Sequence, residues 1–302
     1  MKRFLRLTAL VLGLTLLSAC GKEKTPEMVD ASTQTVPTEG VTALELCSGE
    51  VTLRLDKDED GQWSWRDDPD FPLEQEAVAA LLALPAALDG GEAVADVQEL
   101  SVYGLESPEK YVTVTSDGTD VTYYVGEQAS DGRWYVLTPD GRVLYAAAED
   151  AALLQRSIYD MAVLPALPAI APEQLVSVTL NGTEGVTVTF SVDESGIRRS
   201  GSRDVTAATE ALVGEIGALH LTGCVDYEPA EGAEAVCGLD VPAAALAVNY
   251  TADTGADKAL TLLVGNGDGS GGRFVTLNGE STIYRMEEAA LAEILRLAEA
   301  GL

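Results

Sequence analysis

A single histidine, His220, occurs in the 302 residues, so a triad, a histidine metal site or an imidazole proton relay has no side chains to build it. Positive charge is also scarce: 19 Lys plus Arg stand against 49 Asp plus Glu, a formal net charge of −30. A surface this anionic repels nucleic acid and acidic lipid headgroups, and no clustered basic stripe offsets it. Aromatic residues make up only 6% of the chain and cysteines number four. What is present is ordinary for a folded protein, with 46% apolar and 23% charged residues, and the length allows two domains. With no catalytic set to assemble, the sequence reads as a non-enzyme; paired carboxylates are too numerous for any one pair to be singled out as a hydrolase.

The amino terminus carries an address. Lys2, Arg3 and Arg6 precede an apolar run from Leu7 to Leu17, shorter than the ~20 residues a membrane-crossing helix needs. Leu17-Ser18-Ala19-Cys20 then fits a bacterial lipobox, which makes residues 1–19 a signal peptide and Cys20 the lipidated first residue of the mature chain. Its removal leaves 16 basic against 49 acidic residues, a net −33 on a body tied to a membrane by its lipid. The location expected is therefore extracytoplasmic, anchored to the bacterial cell membrane, with Cys20 acylated through its sulfur. Residues 20–40 are polar and without apolar period, a flexible tether that spans roughly 25 Å on average.

The remainder repeats itself at a spacing of about 135–140 residues. Tyr103-Gly104-Leu105-Glu106-Ser107-Pro108 recurs as Cys237-Gly238-Leu239-Asp240-Val241-Pro242, and Val125-Gly126 as Val264-Gly265. Gly132-Arg133-Trp134 pairs with Gly272-Arg273-Phe274, and Leu144-Tyr145 with Ile283-Tyr284. Period-two alternation predicts strands at 43–47, 51–55, 62–65, 110–115, 121–125, 133–137 and 142–146, with hairpin turns at Asp117-Gly118 and Asp140-Gly141. Helical stripes follow Pro72 (Val78, Leu81, Leu82) and Asp204 (Leu212, Val213, Ile216, Leu219), and close the chain (Leu291, Ile294, Leu295, Ala298). The fold class is α+β: two tandem repeats, 41–160 and 175–302, each a mostly antiparallel sheet with two helices, joined by a proline-rich connector at 161–174.

The Tyr-Gly-Leu-x-x-Pro turn, the Val-Gly step, the Gly-x-aromatic strand and the short strand ending in Tyr resemble the bacterial family named domain of unknown function 4340. The resemblance covers about 41–155 and, more weakly, 175–298. It implies an extracytoplasmic, often lipid-anchored protein. Some members are encoded beside ABC-transporter components of the gliding-motility type, so the partners expected are the membrane, through the anchor, and an envelope protein. The family brings no catalytic residues to carry over. The second copy departs at Cys237, Phe274 and a glycine-rich insertion at 265–272.

Three local patterns invite chemistry. Asp56, Asp58, Asp60, Gly61, Ser64 and Asp67 match the positions of a 12-residue calcium loop, the one cofactor the sequence suggests besides the lipid. Asp67 is too short for the usual bidentate Glu, and the flanks alternate as strands, so a solvated hairpin turn is the preferred reading and a weak calcium site the alternative. The glycine-rich run lacks the Lys and the helix start of a phosphate loop and opens onto a strand. Cys224 and Cys237, thirteen positions apart, are spaced to allow a disulfide in an exported protein, while Cys47 reads as a buried apolar residue.

Overall fold

The computed structural model describes residues 40–302. The expected signal peptide, the expected lipidation site Cys20 and nearly all of the expected tether lie outside the described residues. The rest is α+β, with two antiparallel sheets of eight and nine strands.

The first sheet is formed by β1 (Val41–Ser48), β2 (Thr52–Lys57), β3 (Trp63–Trp65), β4 (Glu92–Ala93), β5 (Lys110–Ser116), β6 (Thr119–Gln128), β7 (Trp134–Leu137) and β8 (Val143–Ala146). The second contains β9 (Leu175–Gly182), β10 (Thr187–Val192), β11 (Arg198–Ser200), β12 (Arg203–Asp204), β13 (Gly223–Asp226), β14 (Ala244–Thr251), β15 (Asp257–Gly267), β16 (Gly272–Leu277) and β17 (Ile283–Glu287). Their orders are β3-β2-β1-β5-β6-β7-β8-β4 and β12-β11-β10-β9-β14-β15-β16-β17-β13. Apart from β12, one sheet maps strand for strand onto the other. Both end in short strands, of three and two residues in the first sheet and of two and four in the second.

Alternation does what it predicts. In β5 and β6, Val112, Val114, Val121, Tyr123 and Val125 point inward and are buried, while Tyr111, Thr113, Thr122 and Tyr124 face outward and are half exposed. Asp117 and Gly118 both have positive φ, +50° and +75°, which is the backbone a two-residue hairpin needs to match the twist of its strands.

The helices differ from the two per repeat expected. The stripe after Pro72 becomes two: α1 (Gln75–Leu82) and α2 (Leu84–Asp89), the latter with Pro85 in its first turn. Pro85 has no N–H to continue α1 but fits the start of a new helix. The first half closes with α3 (Ala148–Ala152). The second half has α4 (Glu210–Gly217), the four-residue α5 (Ala233–Val236) and α6 (Ala292–Ala300). Glu215, on α4, accepts the backbone N–H groups of Glu293 and Ile294 at 2.9 Å each, a cap for α6 supplied from another helix. No helix among the described residues is long and apolar enough to cross a membrane.

Each sheet packs one face onto a main core. The first core includes Leu44, Leu55, Val78, Leu81, Leu88 and Tyr123, and the second Val178, Phe190, Leu212, Val264, Ile294 and Leu297. The outer face of β6 to β8 carries a smaller cluster around Tyr103, Leu105 and Val143, and Cys237, Leu239 and Ile283 repeat it in the second half.

The register corrects the alignment of the repeats. Val125 pairs with Val136 and Val264 with Val275; beyond them three residues of β6 or β15 oppose two of the partner, the same bulge in both sheets. Trp134 then lies opposite Ala146, and Arg273 opposite Met286. The counterpart of Trp134 is therefore Arg273; Tyr135 matches Phe274 and Tyr145 matches Arg285. A slip of one residue in a strand moves every side chain to the other face. Nor is 265–272 an insertion. Both hairpin loops close with one bond over the same span, Ala129 N–H to Arg133 O at 2.7 Å and Asp268 N–H to Gly272 O at 2.9 Å.

Candidate functional site

The repeated motif is consumed by packing. Gly104 and Gly238 both adopt φ +68°, turning the chain so that Leu105 and Leu239 are buried beneath it. The turn lies directly on the bulge: a Cβ at Gly126 would stand 2.1 Å from the Tyr103 carbonyl oxygen, and one at Gly265 2.2 Å from that of Cys237. In the second half the contact is also a hydrogen bond, Asn266 N–H to Cys237 O at 2.7 Å. These residues recur because two backbones touch there, not because they face a ligand.

An open cleft of about 530 Å³ lies in the first half. Its walls are Gly90 and Gly91 after α2, the loop 131–133 between β6 and β7, Tyr145 of β8, and Ala148, Glu149 and Asp150 of α3. The Arg133 guanidinium stacks over the Tyr145 ring, 3.8 Å from its centroid. It pairs with Asp131 and with Glu92, both at 2.8 Å. Its hydrogen bonds hold the Asp131 carboxyl below the usual carboxylate range and push Arg133 itself up. One cation thus sits among Asp131, Glu92, Glu149 and Asp150, and the cleft is net negative. Charge and one aromatic face are what it can offer a ligand; its walls contain no serine, cysteine or histidine.

The sequence did not single out Arg133 and Tyr145 as neighbours, since they meet only across the β7–β8 ladder, where Tyr135 opposes Tyr145. The signal that could have found them is the Asp140-Gly141 turn, whose position fixes that register.

The proposed calcium loop is the β2–β3 hairpin turn. Asp56 is held by Arg66 through two bonds, 2.6 and 2.7 Å, and its carboxyl is lowered by them. Asp58 accepts the Gln62 N–H at 2.8 Å, so it shapes the turn. Asp60 and Asp67 do not join them: among the described residues no three acidic, histidine or cysteine side chains gather as a metal site. The strand alternation that sends Trp63 inward spreads these carboxylates along a hairpin.

Cys47, Cys224 and Cys237 are all buried and free, so the Cys224–Cys237 bond is not made. The physical reason is the pleat: Cys224 belongs to the main core of the second half and Cys237 to the cluster on the other face. Burial pushes the Cys224 thiol up to about 11 and raises Cys237 as well, which keeps both unreactive. His220 is exposed, its Nδ1 3.1 Å from the Ala218 carbonyl. Trp63 is core, and Trp134 is half buried beneath Lys110, whose Nζ lies 4.3 Å from the ring centroid.

In the glycine-rich loop, Asp268 accepts the N–H groups of Ser270 (2.7 Å) and Gly272 (2.9 Å) and bonds Arg285. These bonds pull its carboxyl far below the ordinary range. The run is a hairpin loop whose Asp268, Ser270 and Gly272 amides bond within it.

Among known families, the one described as Domain of unknown function (DUF4340) matches residues 63–211. The match begins at β3, crosses the connector and ends in α4. It is one stretch spanning both halves, where the motifs led us to expect two separate copies. No curated protein and no solved structure matches the chain.

Proposed function

We propose, from the resemblance over residues 63–211, that this chain is a lipid-anchored extracytoplasmic lipoprotein made of two copies of one unit, serving as a non-enzymatic binding or scaffold module for an envelope complex, such as one containing an ABC transporter. The observation that carries this reading is which side chains the fold leaves facing solvent, where Glu45, Arg54 and Tyr111 bond one another, Arg54 to Glu45 at 2.9 Å and the Tyr111 hydroxyl to Glu45 at 2.6 Å. The repeated motif is spent on backbone packing and the cleft's one cation is paired, whereas the outer faces of the central strands stay open to solvent. Those faces differ: where the first half has Glu45, Arg54, Tyr111 and Tyr124, the second has Thr179, Thr189, Ala245 and Leu263. Two sheet faces of distinct chemistry suit a protein that touches partners over an area rather than in a pocket.

The test is an affinity pull-down from gently crosslinked, detergent-solubilised membranes, with Cys20→Ala as the unanchored control. Recovery of an envelope complex that depends on Cys20 and falls when Tyr111 and Tyr124 are changed to Ser is the expected result. Recovery no greater than in the control would overturn it. A second reading, a solute-binding lipoprotein, has the 530 Å³ cleft in its favour, a volume within the range of small-molecule sites. Calorimetric titration with small cationic solutes, with and without Tyr145→Ala, tests that reading.

A further inference from the structure

We infer that the two halves form one mechanical body, fastened at Phe71, and do not hinge at the proline-rich connector. Phe71 precedes α1 and is only 4% exposed. Three rings meet it edge to face: Trp65 at 5.6 Å, Tyr159 at 5.8 Å and Tyr227 at 5.4 Å between centroids. Trp65 belongs to the first sheet, Tyr159 to the segment leaving it, and Tyr227 follows β13 of the second. Edge-to-face contact adds orientation to apolar burial, because each ring edge meets the face of its neighbour.

The two main cores are continuous through this point, since Tyr159, Ala162 and Tyr227 pack against both. Tyr227 is fixed on its own side by Thr282, whose hydroxyl donates to its carbonyl at 2.8 Å. Across the junction its hydroxyl reaches the Asp70 carbonyl at 3.4 Å.

The connector is tied down at both ends. Its start runs antiparallel to 72–74, with Glu74 N–H to Met161 O and Val163 N–H to Pro72 O both at 2.7 Å. Further on, Leu164 and Leu167 pack on the second core and Ile170 is buried within it. Domains joined by a small polar interface move relative to one another; a shared apolar junction with backbone bonds removes that freedom. A partner that touches both halves therefore meets one fixed spacing between them.

Scanning calorimetry of the full chain in detergent tests this. One transition is expected, with calorimetric and van't Hoff enthalpies in a ratio near 1. Phe71→Ala is expected to split it in two, and Tyr227→Ala, which enters the junction from the other half, to do the same if Phe71→Ala prevents the first half from folding. Thermolysin, which cuts before Val163 and Ile170, should cleave the connector roughly tenfold faster in these variants than in the unaltered chain. Two transitions in the unaltered chain, or one transition and unchanged cleavage in both variants, would overturn the inference. If neither variant folds, the unaltered chain's result decides alone.

Discussion

Trp63 and Arg198 occupy the same place in the two sheets. Each is the first residue of its strand, opposite Lys57 in one case and Val192 in the other, and they are 8% and 7% exposed. In the first half an indole fills the position and Gln75 ties it to α1, its Oε1 2.9 Å from the Trp63 N–H. In the second half a guanidinium fills it and donates to Thr206 O and Thr209 Oγ1, 3.1 Å each, and to Glu210 of α4. One backbone has thus kept its sheet-to-helix junction while changing the force that holds it, from apolar burial to hydrogen bonding. The hairpin beside the cleft has been rebuilt in the same spirit. Arg133 over Tyr145 corresponds to Gly272 beneath Arg285: the guanidinium comes from the neighbouring strand and packs where a Cβ at Gly272 would stand 2.3 Å from the Arg285 Nε.

If that comparison is right, the two junctions respond differently to truncation. Trp63→Ala removes a large buried ring and is expected to cost about 4 kcal/mol in urea unfolding. Loss of the repeated close approach should be nearly as severe and, more tellingly, equal in both halves: Gly126→Ala and Gly265→Ala are each expected to cost about 3 kcal/mol, because the atom in the way is backbone. A difference of more than about 1 kcal/mol between them would mean that the shared geometry is not shared energetics. Arg198→Ala is expected to cost less, about 1.5 kcal/mol, since its carboxylate partner Glu210 is 69% exposed and is not stranded in the core. Arg198→Met, which keeps the volume, should recover most of that loss.

The smallest effects are read in pH, and both lie in the second half. Burial raises the Glu215 carboxyl, so the folded state holds that proton more tightly than the unfolded chain. Its contribution is fullest below the ordinary glutamate value of about 4.5 and is lost as pH rises through the raised value. Asp268 is lowered and behaves in the opposite sense: its contribution is present above the ordinary aspartate range and disappears as pH falls. Unfolding curves between pH 3 and pH 7 should therefore show Glu215→Gln flattening the loss toward neutral pH, and Asp268→Asn flattening the loss toward acid. Glu215→Ala, which also removes the cap of α6, is expected to cost about 1 kcal/mol; no interhelical cap of this kind holds α3, whose N-cap position is Ala147.

The strands were legible in the sequence because alternation and turn chemistry act locally. Asp117-Gly118 requires its hairpin, and the inward Val112, Val114 and Val121 announce their face without reference to the rest of the chain. What escaped depended on cross-strand register. Matching Trp134 to Phe274 satisfied the eye for aromatics but set a residue of one face against a residue of the other, and only the bulge after Val125 and Val264 reveals the offset. The cysteine pairing failed for the same reason, since thirteen residues of spacing says nothing about which side of a sheet each thiol meets. At Asp56–Asp67 the hairpin-turn reading fits the β2–β3 pairing, whereas a ligand template counts positions along the chain and misses that Arg66, just past β3, holds the Asp56 carboxylate across the hairpin. The cleft combined both difficulties, being built from α2, a hairpin loop, β8 and α3.

The short strands that border each sheet have a bearing on life at high density. A sheet recruits a foreign strand through the unpaired amides of its outermost member, and here those members are two to four residues long. A neighbour in register would find only a few bonds before the edge ends. Chains held side by side on one surface could thus crowd without stitching together into a shared sheet, and their strong like charge would keep them further apart still.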